Sequence, residues 1–212
     1  MKLYLYVLDT LADWEIGFLT AEIHSRRFFA DRNVAVPIVK VGASLAEITT
    51  MGGMAIRPDL ALDRLELEDD DLLLLPGADT WLDPANRGIL LVAKARIERD
   101  LPVAAICGAT IGLASVGALD AKRHTSNDSG YLKAVARDYS GGALYLDMPA
   151  VSDRKLVTAS GFSALDFAYE ALKLLGVFRP ATLEAWRDLN RTARPEFFYA
   201  MMASLGNQEC PH

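Results

Sequence analysis

The run 101–115, Leu-Pro-Val-Ala-Ala-Ile-Cys-Gly-Ala-Thr-Ile-Gly-Leu-Ala-Ser, sets Cys107 between an apolar stretch and a helix-forming one. The pattern is a short buried strand, the cysteine, and a helix that begins at once. A side chain at such a junction is exposed at the top of a sheet. The turn is sharp and needs small neighbours, which Gly108 and Ala109 supply. The helix N-terminus points at the same spot, and its unpaired N–H groups and dipole favour a thiolate over a thiol. A cysteine so placed suits a nucleophile or a redox-sensitive group. A small hydrophobe buried at a strand end is the alternative that the stretch alone leaves open.

A thiol at work needs proton carriers and dipoles around it. Glu15 lies in the first turn of the first expected helix. There it is either a favourable charge at a helix N-terminus or, if the tips of parallel strands gather along one edge, a neighbour of Cys107. Of the three histidines, His24 falls mid-helix and His212 ends the chain, so His124 is the one placed to serve Cys107. A surface histidine in a basic turn is its plainer reading. The loop Pro76-Gly77-Ala78-Asp79 follows a run of four leucines. It is either an ordinary turn or a place where backbone N–H groups approach a ligand.

The elements that must position these groups alternate between strand and helix. Residues 3–8 form a continuous apolar run, the mark of a strand buried on both faces. Helical spacing follows over 14–29, then a strand over 34–41 and a hairpin around Met51-Gly52-Gly53. The acidic run 66–71 reads as a solvated loop before the strand 72–75. Pro84 opens a helix that runs to about residue 99. After the Cys107 helix, Ser126 or Asn127 is expected to cap a helix over 129–138, with short strands at 144–146, 150–151 and 156–158. A helix over 164–175 stops at Gly176. Two more helices, 180–190 and 195–205, carry a Phe197-Phe198-Tyr199-Met201-Met202 stripe suited to core or dimer contact. The result is an α/β domain with a mainly parallel sheet and helices on both faces.

Composition narrows the function. A chain of 212 residues, 51% hydrophobic and 24% charged, is expected to be globular. A net charge of −6 with no basic cluster argues against nucleic acid as partner. Two cysteines, Cys107 and Cys210, make no disulfide framework and fit a reducing compartment; no signal peptide or membrane span is evident, so a cytoplasmic location is expected. Neither a dinucleotide fingerprint nor a P-loop is present, and metal-ligand spacing is missing, so no cofactor and no metal is expected.

Taken together and in order, four stretches resemble the DJ-1/PfpI family of the class I glutamine amidotransferase-like superfamily. They are Pro76-Gly77-Ala78-Asp79; Ala104-Ala-Ile-Cys107-Gly-Ala; Gly117-Ala-Leu-Asp120 with His124-Thr-Ser-Asn; and Thr158-Ala-Ser-Gly161 leading into the helix that ends at Gly176. The resemblance implies a flavodoxin-like three-layer sandwich over 1–176, with 177–212 as a helical extension packed on the same domain, and a possible homodimer. It implies that Cys107 is a reactive cysteine on a nucleophile elbow and that Glu15 hydrogen-bonds and tunes the thiol. It gives the amides of Gly77 or Ala78 and of Gly108 an oxyanion, and puts His124 roughly at the family's histidine. The expected function is a small-molecule hydrolase, hydratase or glyoxalase-like enzyme acting on a carbonyl through Cys107. The alternative is a redox or stress-response protein whose Cys107 is oxidised to a sulfinate. Gly108 stands where the PfpI protease branch carries a histidine, and Ala105 and Ala109 stand where amidotransferases carry glycines. His124 is followed by Thr125 and Ser126 and not by a His-x-Glu pair, so neither protease nor glutaminase activity is implied.

Overall fold

Apolar runs without polar interruption dictate a sheet covered on both sides. In the computed structural model, which describes residues 1–205, these runs are the central strands. In chain order the elements are β1 (Leu3–Tyr6), α1 (Asp13–Ser25), β2 (Ile38–Gly42), β3 (Ile48–Thr49), β4 (Ala55–Ile56), β5 (Leu60–Ala61), β6 (Leu72–Leu75), α2 (Arg87–Glu98), β7 (Val103–Ile106), α3 (Gly108–Ser115), α4 (Ser129–Val135), β8 (Ala150–Asp153), β9 (Leu156–Ala159), α5 (Ala164–Leu175), α6 (Pro180–Thr192) and α7 (Pro195–Leu205). Seven strands form one sheet in the order β5-β2-β1-β6-β7-β9-β8, parallel except for the β8–β9 pair; β3 and β4 form a separate antiparallel hairpin. This is a flavodoxin-like α/β sandwich.

The period of two along each strand divides the core into two layers. Leu3, Leu5, Leu72, Leu74, Ala104 and Ile106 pack with the buried faces of α1, α5 and α6. Tyr4, Tyr6, Leu73, Leu75, Val103 and Ala105 pack with those of α2, α3 and α4. Register then sets the functional edge. Ile106 pairs with Ala159, so β7 and β9 end side by side and Cys107 emerges level with residues 160–161.

Several elements differ from the sequence expectation for local reasons. Helix α1 ends at Ser25, because Arg26 turns left-handed (φ 55°) and returns its N–H to the Glu22 carbonyl; Phe28 and Phe29 are then buried from a loop. Strand β2 starts only at Ile38, where pairing to Leu3 begins. Asp71, expected in a solvated loop, is buried and accepts the N–H groups of Lys2 (2.6 Å) and Glu68 (2.9 Å). Helix α4 is capped by Asp128, which accepts Tyr131 N–H at 2.6 Å, and not by Ser126 or Asn127. The expected strand at 144–146 is a 3-10 turn, Gly141–Leu144, followed by a single bridge between Tyr145 and His124.

The C-terminal helices pack on the same core. Trp186 of α6 is buried and donates its indole N–H to Glu22 of α1 at 3.0 Å, with Phe18 and Phe178 edge-on to its ring. The aromatic stripe of α7 is divided: Met201 is buried, Phe198 and Tyr199 are exposed. Cys210 and His212, with the end of the expected 177–212 extension, lie outside the described residues. Among the described residues, no helix is long and apolar enough to cross a membrane.

Candidate active site

Cys107 joins β7 to α3 in a backbone conformation, φ 58° and ψ −125°, that L-residues rarely adopt. Such an angle costs on the order of 1–3 kcal/mol and persists only where the surroundings impose it. Here the Cys107 N–H is tied to Ala159 O at 3.0 Å, and the Cys107 carbonyl accepts both the N–H (3.0 Å) and the hydroxyl (2.6 Å) of Thr110. The strand below and the first helical turn above thus hold the bend. The thiol is lifted to the sheet edge, half-buried.

Glu15 reaches it from the first turn of α1, fully buried. One carboxylate oxygen, Oε2, accepts the Gly77 N–H at 2.7 Å. The other, Oε1, meets no N–H or O–H donor among the described residues and faces the Cys107 thiol. Gly161 brings the two groups together. A methyl group at its Cα would lie 2.7 Å from Glu15 Oε1 and 2.8 Å from Cys107 Sγ, so the site closes only because no side chain stands there. Gly77 is constrained in the same way, since a Cβ there would come within 2.2 Å of Glu15 Oε2.

The third member of the group is Asn127. Its amide Nδ2 donates to Cys107 Sγ at 3.2 Å, while its Oδ1 accepts the Gly161 N–H at 2.8 Å. The two bonds fix which way the amide points, because only the NH2 end can donate to sulfur. The sequence offers Asn127 as an alternative helix cap and as the last residue of the His124-Thr-Ser-Asn stretch, with no role toward the thiol. The signal was its position three residues after His124, in the stretch singled out as a source of a side chain for Cys107.

His124 itself is elsewhere. It is fully buried, with Nδ1 against the Lys122 carbonyl at 2.7 Å, Nε2 against the Tyr139 hydroxyl at 2.6 Å, and its ring edge-on to Tyr139 and Tyr145. Both nitrogens are occupied, and neither meets Cys107 or Glu15. Burial also holds its pKa below the ordinary value. The amides expected to face an oxyanion are also differently engaged. Gly77 N–H is committed to Glu15, which leaves Ala78 and Gly108. Neither of their N–H groups donates to a protein oxygen among the described residues, and the two backbones touch: a Cβ on Gly108 would lie 3.3 Å from Ala78 N.

Burial sets the proton affinities. It pushes Glu15 up from 4.5 to about 7, against the opposing effects of the thiol and the Gly77 amide. It pushes Cys107 up from 9.0 to about 11, with the Glu15 charge adding to it and the Asn127 and Gly108 donors opposing it. The helix N-terminus expected to favour the thiolate is thus outweighed by desolvation and a neighbouring carboxylate. From about pH 7 to about pH 11 the pair retains one proton between them. The arrangement can deliver a sulfur nucleophile as Glu15 takes its proton, with two amides beside it for a developing oxyanion. The thiol opens into a cleft of about 340 Å³ that Trp81, Leu82 and Tyr131 also line. Among the described residues, no group of three or more His, Cys, Asp or Glu side chains is arranged to hold a metal ion.

A model of the DJ-1/PfpI family matches residues 1–174. The chain belongs to this family. A Bacillus subtilis (strain 168) relative named "Uncharacterized protease YoaZ" is 45% identical over 204 residues, 96% of this chain and 97% of the relative. The crystal structure of a thiJ/pfpI family protein from Bacillus anthracis superposes with a TM-score of 0.93 at 46% identity, covering 96% of each chain. The DJ-1 superfamily protein Atu0886 from Agrobacterium tumefaciens follows at 0.76 and 34%, covering 91% of this chain and 97% of its own. The DJ-1/PfpI match ends at residue 174, one residue short of the end of α5, so α6 and α7 lie beyond it.

Proposed function

We propose that this DJ-1/PfpI protein is a cysteine-dependent enzyme acting on a small carbonyl compound, with Cys107 as nucleophile and Glu15 as the group that moves protons. The observation that carries this reading is the pairing of the strained Cys107 with the unpartnered oxygen of a buried glutamate. On attack, the S–H proton passes to Glu15 Oε1, a C–S bond forms, and the carbonyl oxygen takes the electron pair facing Ala78 and Gly108 N–H. A group with a pKa near 7 both accepts and returns a proton at neutral pH. For an α-ketoaldehyde, the hemithioacetal so formed rearranges by moving a hydrogen from the aldehyde carbon to the ketone carbon. The resulting thioester is cleaved by water, with no external oxidant. For an ester or amide, the collapsing oxyanion expels the leaving group with the proton from Glu15, and water again frees the thiol. Peptide bonds in folded proteins fit this site less well: the cleft is small, and Asn127 stands beside the thiol without a proton to exchange.

The test is turnover of methylglyoxal and of a panel of small esters and amides by the native protein, Cys107→Ala and Glu15→Gln. A loss of about 100-fold or more in both variants is expected from removing a nucleophile or its base. Equal rates in Cys107→Ala and the native protein would overturn the proposal. The redox alternative predicts instead selective conversion of Cys107 to a sulfinate by dilute peroxide. A thiol raised to about 11 holds little thiolate at neutral pH, which is the form that peroxide oxidises.

A further inference from the structure

The walls of the Cys107 cleft carry an uneven charge. Asp79 lines it and is exposed, and its carboxylate makes no hydrogen bond or ion pair among the described residues; only its backbone N–H is engaged, by Thr10 Oγ1 at 2.8 Å. No lysine, arginine or histidine is among the described residues that line the cleft. Two aromatic rings are present: Trp81, buried, with its N–H held by the Pro76 carbonyl, and Tyr131, 56% exposed. Across the segment 79–83 lies a second cleft of about 200 Å³. It too is lined by carboxylates, Asp9, Glu47 and Asp83, and again by no base among the described residues. A carboxylate without a counter-ion in a cleft lined by no base is the composition that draws a cation and repels an anion.

We propose that this cleft selects carbonyl substrates by charge, with Asp79 as the selecting residue. It admits compounds bearing an ammonium group near the carbonyl and turns away those bearing a carboxylate or phosphate. The selection rests on the reading of Cys107 as the reacting group, but it concerns access to the thiol and is measurable without turnover. Glu15 lies behind the thiol and adds to the same negative field, so the part due to Asp79 is isolated by changing Asp79 alone.

The experiment measures modification of Cys107 by three methanethiosulfonates: the cationic trimethylammonium-ethyl reagent, the anionic sulfonato-ethyl reagent and the neutral methyl reagent. Each forms a mixed disulfide with the thiolate and releases methanesulfinate. Peptide mass spectrometry separates Cys107 from Cys210, and N-acetylcysteine gives the reference rates. The cation-to-anion rate ratio at Cys107 is expected about tenfold above the reference at low salt, from one or two uncompensated charges at short range. It is expected to fall about three- to fivefold in Asp79→Asn, to fall further in Asp79→Lys, and to shrink as salt is raised. A ratio equal to that of N-acetylcysteine, or one unchanged in Asp79→Asn, would overturn the proposal; so would failure of all three reagents at Cys107. A charge preference that depends on Asp79, in a protein that turns over no carbonyl compound, would uphold the selection while removing the catalytic reading.

Discussion

Trp186 donates to Glu22 Oε1 at 3.0 Å, and Glu22 lies on the same helix as Glu15. Seven residues, about two helical turns, separate the two glutamates, so both fall on the buried face of α1. One end of this face meets Cys107 and the other is anchored by a helix outside the family match. Trp186→Phe keeps the ring against Phe18 and Phe178 but removes the N–H. A loss of about 1.5–3 kcal/mol is expected, as for a hydrogen bond to a charged group, and urea unfolding checks it. Modification of Cys107 in the folded variant is expected to stay within about twofold of the native rate, because Arg27 still holds Glu22.

Glu15 and Cys107 predict a pH signature. Glu15 binds its proton more tightly in the folded state, where its pKa rises from 4.5 to about 7. Its contribution to stability is therefore fully present below pH 4.5 and lost as the pH rises through about 7. The swing amounts to about 3 kcal/mol. From pH 4 to pH 8 the native protein is expected to lose about 3 kcal/mol of unfolding free energy relative to Glu15→Gln, the variant showing the flatter profile. Parallel profiles would contradict it. In the same variant the midpoint for iodoacetamide alkylation of Cys107 is expected to fall from about 11, because a negative neighbour is gone. It is expected to stay above the ordinary thiol value, since burial remains the larger cause.

Asn127 offers a second handle on the thiol. Asn127→Asp replaces a donor at 3.2 Å from the sulfur with an acceptor and a negative charge. The alkylation midpoint is expected to rise, and the rate at pH 8 to fall by about tenfold, as for a neighbouring like charge. Asn127→His would place an exchangeable proton where the native protein has none. An unchanged midpoint in Asn127→Asp would show that the amide does not govern the thiol.

Gly161→Ala tests how tightly the group is assembled. The added methyl group falls between Glu15 Oε1 and Cys107 Sγ, closer to each than van der Waals contact allows. Alkylation of Cys107 and any turnover are expected to drop by at least about tenfold while far-UV circular dichroism stays native, since a misplacement near 1 Å already costs about that much or more.

The frame was legible because its signals are local and strong. Residues 72–75 are four leucines, and no arrangement but a strand buried on both faces suits them in this context. Cys107 was legible as a candidate for the same reason, since it ends such a strand, and Glu15 because it lies in the first turn of the helix that follows another and parallel topology gathers those ends on one edge. The division of labour around them was not. Whether position 124 or position 127 meets the sulfur depends on how the chain runs after α3. The single bridge from His124 to Tyr145 and the Thr125 N–H bond to Thr158 Oγ1 at 2.9 Å turn residue 124 inward. Asn127 is held at the edge by Gly161, thirty-four residues away in sequence. The rise in the thiol pKa was equally hidden, because the helix N-terminus is visible in sequence and the depth of the cleft is not.

At φ 58° and ψ −125°, glycine would fit position 107 with less strain than cysteine. Random change filtered only for folding would run downhill from cysteine to glycine there, shedding the thiol and gaining on the order of 1 kcal/mol of stability. The residue that occupies the bend is therefore out of equilibrium with the fold that holds it, and a lineage with no use for sulfur at this edge would be expected to lose it early.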